Sequence, residues 1–406
     1  MKATCRAPVL RRPGAENPAD VVYGEISFTN QDLRLTDDTF IRKAYTLSLL
    51  TRIQSWFRYV RPVISRAQGA QAVRGRVDHI IILDGTLSSL DAGYESNAGL
   101  LFKLLAEKGL GADRRLYYEP GVQWVEWAHL ADVARGRGIN RQIRRAYGVL
   151  ASHYRPGDRV YLLGYSRGAY AVRSLAGVID QVGLLRREHA TQRNVRQAYR
   201  HYQNDPRSPA AKAFARQFCH EAVPIEMVGV WDTVKALGVR LPFLWTLTEQ
   251  EHAFHNDALG HSIKHGFHAL ALHETRVVFT PVLWTCPPNW TGNIEQMWFR
   301  GSHADIGGQI GNRPAARPLS NIPLVWMLER TEACGLALPD GWKDRFPCDV
   351  DAPSVGTWRG FGALFLLRRR RVVGVDPTER IHPSALAHKS RWGRRPRIAP
   401  GHLRQP

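Results

Sequence analysis

Val160-Tyr161-Leu162-Leu163-Gly164-Tyr165-Ser166-Arg167-Gly168-Ala169 is the stretch on which the fold turns. An apolar strand candidate runs into Gly-x-Ser-x-Gly, and residues 167–179 continue with helical spacing. A serine in that context sits on a sharp strand-to-helix turn, with its hydroxyl exposed at the carboxyl end of the strand. Gly164 and Gly168 leave room for strand and helix to approach closely. The helix that follows aims its first N–H groups at the same place, so the Arg167 amide is placed to donate to a developing oxyanion. The plainer reading of the same residues is a serine in a glycine turn that caps a helix.

A serine hydroxyl needs a base, and the base needs an acid to orient it. In α/β-hydrolases the acid and then the histidine follow the serine along the chain. Asp232 closes Met227-Val-Gly-Val-Trp-Asp232-Thr-Val, directly after another strand candidate, where that acid belongs. A capping aspartate at a strand end has the same pattern, and Asp305 is the rival acid. Sixteen histidines compete for the base. His303 lies after a strand in Trp298-Phe-Arg-Gly-Ser-His303-Ala-Asp305-Ile-Gly307-Gly308, on a glycine-rich loop. His382, in Ile381-His382-Pro383-Ser384, is the second candidate.

Leu83-Asp84-Gly85-Thr86 ends the apolar run from Val77. It invites comparison with the Asp-x-Asp-Gly-Thr motif of haloacid-dehalogenase phosphatases, but the nucleophile position is Ile82, which excludes that chemistry. In a hydrolase the loop after this strand supplies the second oxyanion N–H. Gly85 or Thr86 is placed for it, with Asp84 bracing the loop; a plain turn is the alternative.

Outward from these motifs, apolar runs and amphipathic stretches alternate. Strand candidates are Val77–Leu83, Leu116–Tyr118, Val160–Leu163, Ile225–Trp231 and Gln296–Phe299. Helical spacing marks 97–108, 139–153, 167–179, 257–272 and 320–333, the last with Ser320 as cap and Pro323 in its first turn. Strands alternating with helices predict a parallel sheet wrapped by helices. Residues 181–222 lack a strand and read as an inserted helical cap. Residues 1–30 read as a loop or arm, and 37–60 as an amphipathic helix capped by Asp37 or Asp38 and ended by Pro62.

Lys and Arg number 56 against 36 Asp and Glu, a net charge of +20, in a chain of 406 residues that is otherwise ordinary for a globular protein. A basic chain fits anionic membranes, nucleic acid or acidic ligands, or an Arg-favouring genome. The charge is uneven: residues 358–406 hold 12 basic and two acidic side chains, net +10. Trp358-Arg-Gly-Phe-Gly-Ala-Leu-Phe-Leu-Leu367 precedes Arg368-Arg-Arg-Arg371, the composition of an interfacial membrane contact or of a core segment with a solvated loop. The tail lacks the interleaved aromatics of a nucleic-acid stacking platform, so nucleic acid is not expected.

His261 and His265 would fall one turn apart on a helix over 257–272, but no Asp, Glu or Cys completes a ligand set at matching spacing. No metal or cofactor is expected. Five scattered cysteines without a Cys-x-x-Cys pair point to a reducing compartment. No run of 18 apolar residues and no secretory h-region is present. A cytoplasmic location is therefore expected, with export by a signal-less secretion system left open.

Taken together, these motifs resemble one family. It is the bacterial and fungal α/β-hydrolase group, long of unknown function, that contains the catalytic domain of type VI secretion phospholipase effectors. The resemblance is carried by Leu83-Asp84-Gly85-Thr86, Tyr118-Glu119-Pro120-Gly121-Val122, Arg155-Pro156-Gly157-Asp158, Gly164-Tyr-Ser-Arg-Gly-Ala-Tyr170, Val230-Trp-Asp-Thr-Val234, His268–Glu274, Trp298–Gly308 and Leu319-Ser320-Asn321-Ile322, in order over roughly 77–335. Tyr165 stands where the family has Phe, and Gln309 where a third glycine often follows the histidine loop. About 70 residues follow the matched part, fewer than the large membrane-binding region that secreted effectors carry. The resemblance implies a Ser166, Asp232, His303 triad, Asp305 as a site-shaping neighbour, and hydrolysis of esters, phospholipids among them.

The reading predicts an α/β-hydrolase with a doubly wound, mostly parallel sheet. Residues 1–76 form an N-terminal extension with one amphipathic helix, 77–345 the catalytic domain with its cap at 181–222, and 346–406 a basic C-terminal extension. The expected partners are an ester or phospholipid substrate and an anionic membrane surface. Acyl transfer or peptide hydrolysis on the same residues, or a non-catalytic basic membrane- or nucleic-acid-interaction protein on a hydrolase fold, are the rival functions.

Overall fold

The computed structural model describes residues 75–107, 113–121, 137–234, 259–285, 290–358, 365–387 and 397–399, and the backbone of three short strands before them. The chain divides into two units, residues 1–59 and 60–406. In the first, β1 (Thr4–Pro8) pairs antiparallel with β2 (Tyr23–Ser27). Residues 1–30, expected as a loop or arm, thus contain a two-stranded ribbon. The helix expected over 37–60 lies outside the described residues.

The second unit is built on one sheet. Its strands are β3 (Val63–Ser65), β4 (Asp78–Leu83), β5 (Arg114–Glu119), β6 (Arg159–Tyr165), β7 (Ile225–Trp231), β8 (Ile263–Ala271), β9 (Asn293–Phe299) and, after the short β10 (Val372–Val373), β11 (Glu379–Ile381). They lie in the order β3-β5-β4-β6-β7-β8-β9-β11. All pair in parallel except β3, which runs antiparallel on β5. The order reverses around β4 and β5, leaving β6 central, and this is the α/β-hydrolase fold. β10 pairs with β12 (Arg397–Ile398) in a separate two-stranded sheet. Residues after 345, read from sequence as an extension, therefore contribute the edge strand β11 to the main sheet.

The central strands are apolar at nearly every position because both faces of the sheet are covered. On β4, Ile81 and Leu83 enter one core with Leu162, Val228 and Leu175, while Ile80 and Ile82 enter the other with Tyr161, Leu163, Met227 and Leu324. Helices α2 (Arg137–His153) and α3 (Arg167–Gln181) cover the first face. Helices α1 (Asn97–Glu107) and α7 (Arg317–Ala333) cover the second, and α6 (His303–Gly307) lies between β9 and α7 in sequence. Residues 181–222 do hold helices, α4 (Gln192–Asn204) and α5 (Pro209–Phe218). They pack through Val195, Ala198, Tyr199, Tyr202 and Phe214 on the outer side of α2 and α3.

Two local expectations differ from the structure. Residues 257–272 were expected as a helix, yet Ile263–Ala271 is β8, paired on both sides. Its Ala and Leu residues suit a helix, but burial on both faces erases the period-2 pattern by which a strand is recognised. His261 and His265 are consequently not one helical turn apart. Helix α7 begins at Arg317, with Pro318 in its first turn, and Pro323 is inside the helix rather than at its start. Among the described residues, no helix is long and apolar enough to cross a membrane.

The Arg155-Pro156-Gly157-Asp158 turn has a structural task. The Asp158 carboxylate accepts from the Val77 amide at 3.0 Å, the Arg155 amide at 3.0 Å and His79 Nε2 at 2.9 Å, locking the entry of β6 against β4.

Helical glycines separate packing from propensity. A Cβ on Gly148 in α2 would meet only Val195, at an ordinary 3.7 Å, whereas one on Gly168 in α3 would overlap the Leu83 carbonyl. Gly148→Ala should stabilise the protein by up to ~1 kcal/mol, the usual helical preference for alanine. Gly168→Ala should destabilise it by several kcal/mol, on the order of an overpacked core. Urea denaturation of both variants reads the opposite signs.

Candidate active site

Ser166 stands between β6 and α3 with φ 56° and ψ −118°, a left-handed backbone that costs a non-glycine residue roughly 1–3 kcal/mol. Its amide donates to the Trp231 carbonyl at 3.0 Å, and the packed sheet around it holds the strain in place. Gly164 and Gly168 make the turn sterically feasible: a Cβ on Gly164 would lie 2.7 Å from the Gly168 carbonyl oxygen. The side chain of Ser166 is thus forced out at the carboxyl edge of the sheet, at the N-terminus of α3.

The structure brings Ser166, Asp232 and His303 together. Ser166 Oγ is 2.8 Å from His303 Nε2, and His303 Nδ1 is 2.6 Å from Asp232 Oδ2. All three side chains are buried, Asp232 completely. An ionised carboxylate only accepts, so Nδ1 carries the imidazole proton and Nε2 is left to accept from the serine hydroxyl. Burial would raise the Asp232 carboxyl, but the Arg371 guanidinium and the hydrogen bond from His303 hold it well below the usual carboxylate range. The arrangement can take a proton from Ser166, stabilise the imidazolium that results, and return the proton to a leaving group.

The donors expected from sequence for an oxyanion, Arg167 and Gly85 or Thr86, lie on two segments beside Ser166. The Arg167 amide lies in the first turn of α3, where N–H groups lack intrahelical acceptors. Across from it, Gly85 is packed so closely that a Cβ would meet the Tyr165 ring at 2.6 Å and Ser166 Cβ at 3.4 Å. The Gly85 amide, however, donates to Asp84 Oδ1 at 2.6 Å, which engages it elsewhere. The Thr86 amide has no acceptor among the described residues, and the Thr86 hydroxyl is buried without a partner there. Of the two residues proposed from sequence on this loop, Thr86 keeps a donor available and Gly85 supplies the clearance.

Asp84 braces the loop. Its buried carboxylate also accepts from Ser96 Oγ at 2.6 Å and the Tyr118 hydroxyl at 2.7 Å. Burial pushes its carboxyl up, and these hydrogen bonds act against that. Gln309, the departure from the glycine pattern, donates to the Thr86 carbonyl at 2.9 Å and so ties the histidine loop to this one.

His303 opens the short helix α6 rather than lying on an open loop. Its ring is flanked by Phe279, centroids 4.7 Å apart, and by Tyr165 at 5.0 Å. Its amide donates to the buried Glu274 carboxylate at 3.1 Å, which is itself held by the Arg276 guanidinium. Arg276 in turn lies over Phe279. Asp305, the rival acid, does not face the His303 ring. Its carboxylate accepts from Ser302 N and Oγ, from Ser354 Oγ at 2.5 Å and from the Val355 amide at 2.8 Å, shaping the loop that carries His303. His382, the rival base, pairs with Ser384 Oγ at 2.8 Å and stacks on Phe299.

Arg371 was not foreseen. Its Nη1 is 2.6 Å from Asp232 Oδ1 and its Nη2 is 2.9 Å from Oδ2, and it also donates to the Ala271 and Phe279 carbonyls. In sequence it is the last of four consecutive arginines, with no local mark that separates it from its neighbours. Glu274 lies in the His268–Glu274 stretch, where no local pattern marks its contact with the His303 amide.

Residues 78–330 match the family model of the T6SS phospholipase effector Tle1-like catalytic domain. The chain belongs to that family. The family match ends before Arg371 and β11. Among curated proteins, the uncharacterized protein YEL023C of Saccharomyces cerevisiae is 28% identical over 235 residues, which cover 52% of this chain and 33% of the yeast protein. Similar solved structures include an uncharacterized protein from Pseudomonas aeruginosa, 17% identical with TM-score 0.36, covering 78% of this chain and 53% of that one. The Tle1 effector bound to the VgrG spike of the type VI secretion system is 17% identical with TM-score 0.33, covering 58% and 52%. A Thermogutta terrifontis esterase is 13% identical with TM-score 0.35, covering 70% and 94%. The chain thus spans a third of the yeast relative's length and about half of the Pseudomonas protein's.

The two acids separate by substitution. Asp232→Asn should lower the rate of covalent modification of Ser166 by a fluorophosphonate on the order of 10³- to 10⁴-fold, because the imidazole loses its tautomer. Asp305→Asn should lower it about tenfold or less and act mainly on thermal stability, since it touches the loop and not the ring.

Proposed function

We propose that this protein is a serine hydrolase that cleaves carboxylic esters through an acyl-enzyme, with Ser166 as nucleophile, His303 as general base and acid, and Asp232 as its orienting acid. The observation that carries the reading is the unbroken path from Ser166 Oγ to His303 to Asp232 at 2.8 and 2.6 Å, starting from a strained elbow. His303 takes the hydroxyl proton as Ser166 attacks the ester carbonyl. The Arg167 and Thr86 amides stabilise the oxyanion, and the protonated His303 gives its proton to the leaving alcohol. Water, deprotonated by His303, then releases the acid. The residues need no cofactor for these steps.

The substrate class is lipid, phospholipid in particular. Membership in a phospholipase effector family favours it. So does the surface beside the site. Phe365 packs edge-on against Phe279, which stacks on His303. The residues next to Phe365, Leu366 and Leu367, are 78% and 66% exposed, and Trp358 is 63% exposed with Arg368 over its ring. Exposed apolar side chains beside Arg369 and Arg370 suit an anionic membrane surface that presents the substrate.

Two measurements test this. Wild type should be labelled by a fluorophosphonate probe and Ser166→Ala should not; an unlabelled, folded wild type removes the serine-hydrolase reading. Vesicles of phosphatidylcholine with phosphatidylglycerol should release fatty acid faster than vesicles of phosphatidylcholine alone. The pair Leu366→Ser/Leu367→Ser should reduce that release several-fold while leaving hydrolysis of a soluble p-nitrophenyl ester unchanged. Equal loss on both substrates would count against the membrane surface.

A further inference from the structure

The Arg371 contact goes beyond proton relay. Hydrogen bonds from His303 and the Ala271 amide, the latter at 2.9 Å to Asp232 Oδ1, already serve the carboxylate, and a third partner with a full positive charge is added from another segment. The guanidinium is itself nearly buried, at 5% side-chain exposure against 0% for Asp232. We propose that Arg371 is a positioning residue for the base: it fixes both carboxylate oxygens of Asp232 while limiting how strongly that carboxylate stabilises protonated His303. The proposal rests on the reading of Ser166, His303 and Asp232 as catalytic groups and adds a fourth member to it.

A lone carboxylate hydrogen-bonded to an imidazole favours its protonated form and would hold the base occupied at mildly acidic pH. A cation shared by the same carboxylate offsets that attraction. The planar fork engages both carboxylate oxygens, sharing Oδ2 with the imidazole, a bidentate geometry that lysine cannot reproduce.

Other charged and titratable groups among the described residues surround this pair, including Asp84, which acts on Tyr165, and Arg173, which acts on His268. Glu274, from the turn after β8, binds the His303 amide and is paired with Arg276. His268 on β8 accepts from the Thr233 amide and is kept neutral by burial, its pKa lowered to about 3. Tyr165 on β6 has its hydroxyl pushed well above its ordinary value by burial. Neither His268 nor Tyr165 changes charge near neutral pH, and Glu274 is offset by Arg276. Arg371 is the cation in direct contact with the Asp232 carboxylate among the described residues.

The clamp also brings residues beyond the family match into the site. Arg371 follows Leu366 and Leu367 by a few residues, and Arg368 on the same segment donates to Thr275 and Thr357. The basic run is thereby divided: Arg371 faces inward on the catalytic acid, while Arg369 and Arg370 are exposed.

The test is the pH dependence of fluorophosphonate labelling of the full chain, which needs no knowledge of the natural substrate. In Arg371→Gln the acid limb should move up by about one pH unit, so that labelling on the acid side falls roughly tenfold more than on the plateau. In Arg371→Lys the charge remains but the fork is lost; the limb should stay near wild type and the plateau should fall several-fold. If Arg371→Gln does not fold, the lysine variant and guanidinium rescue of Arg371→Ala decide, with added guanidinium expected to restore labelling. A folded Arg371→Gln with the wild-type limb, or a lysine variant with the wild-type plateau, overturns the proposal. Wild-type labelling at Ser166 is the separate control: its absence would sink the underlying reading rather than the clamp.

Discussion

A carboxylate removed entirely from water is the constraint on which the site depends. Burying an unpaired ion of this kind costs several kcal/mol even after relaxation, so Asp232 must be surrounded by donors. The fold supplies them from distant parts of the chain. Arg371 lies 139 residues away in sequence, His303 lies 71 away, and the Ala271 amide comes from the end of β8. Ala271 and His303 reach the carboxyl edge of the sheet because β8 and β9 end there, as ligand sites of open α/β sheets do, while Arg371 comes to it from the segment that precedes β10. The sheet order is therefore also the condition for neutralising one buried charge.

The second constraint is steric. Ser166 holds a left-handed backbone that only a tightly packed turn can impose. The glycines on either side, the Leu83 carbonyl against Gly168 and the ring of Tyr165 against Gly85 leave the turn no alternative space. Strain at Ser166 and charge at Asp232 meet at one imidazole, held between Phe279 and Tyr165 and pinned at its backbone by Glu274. Every support of His303 thus has a support of its own, which is how a site keeps its geometry.

Much of this was written locally in the sequence. Gly-x-Ser-x-Gly between an apolar run and a helix names the elbow, and Asp232 and His303 each follow a strand, but position left Asp305 and His382 as rivals until the family resemblance favoured the first pair. Other features depend on contacts that no local pattern encodes. β8 carries helix-forming residues and becomes a strand because both neighbours pair with it. Arg371 is indistinguishable from Arg370 until the chain returns to the sheet. One arginine of the basic tail pairs with the buried Asp232 carboxylate. Gln309, a mere departure from a glycine pattern in sequence, proves to bridge the His303 loop and Thr86.

Ser166, His303 and Asp232 share one continuous hydrogen-bonded path. Proton NMR of protein carrying ¹⁵N-labelled histidine tests that path directly. It should show one exchangeable proton far downfield of the amides, bonded to Nδ1 of His303, retained in Ser166→Ala and lost in Asp232→Asn. An His303 ring protonated only on Nε2, or an Nδ1 proton indifferent to the loss of the Asp232 charge, would contradict it.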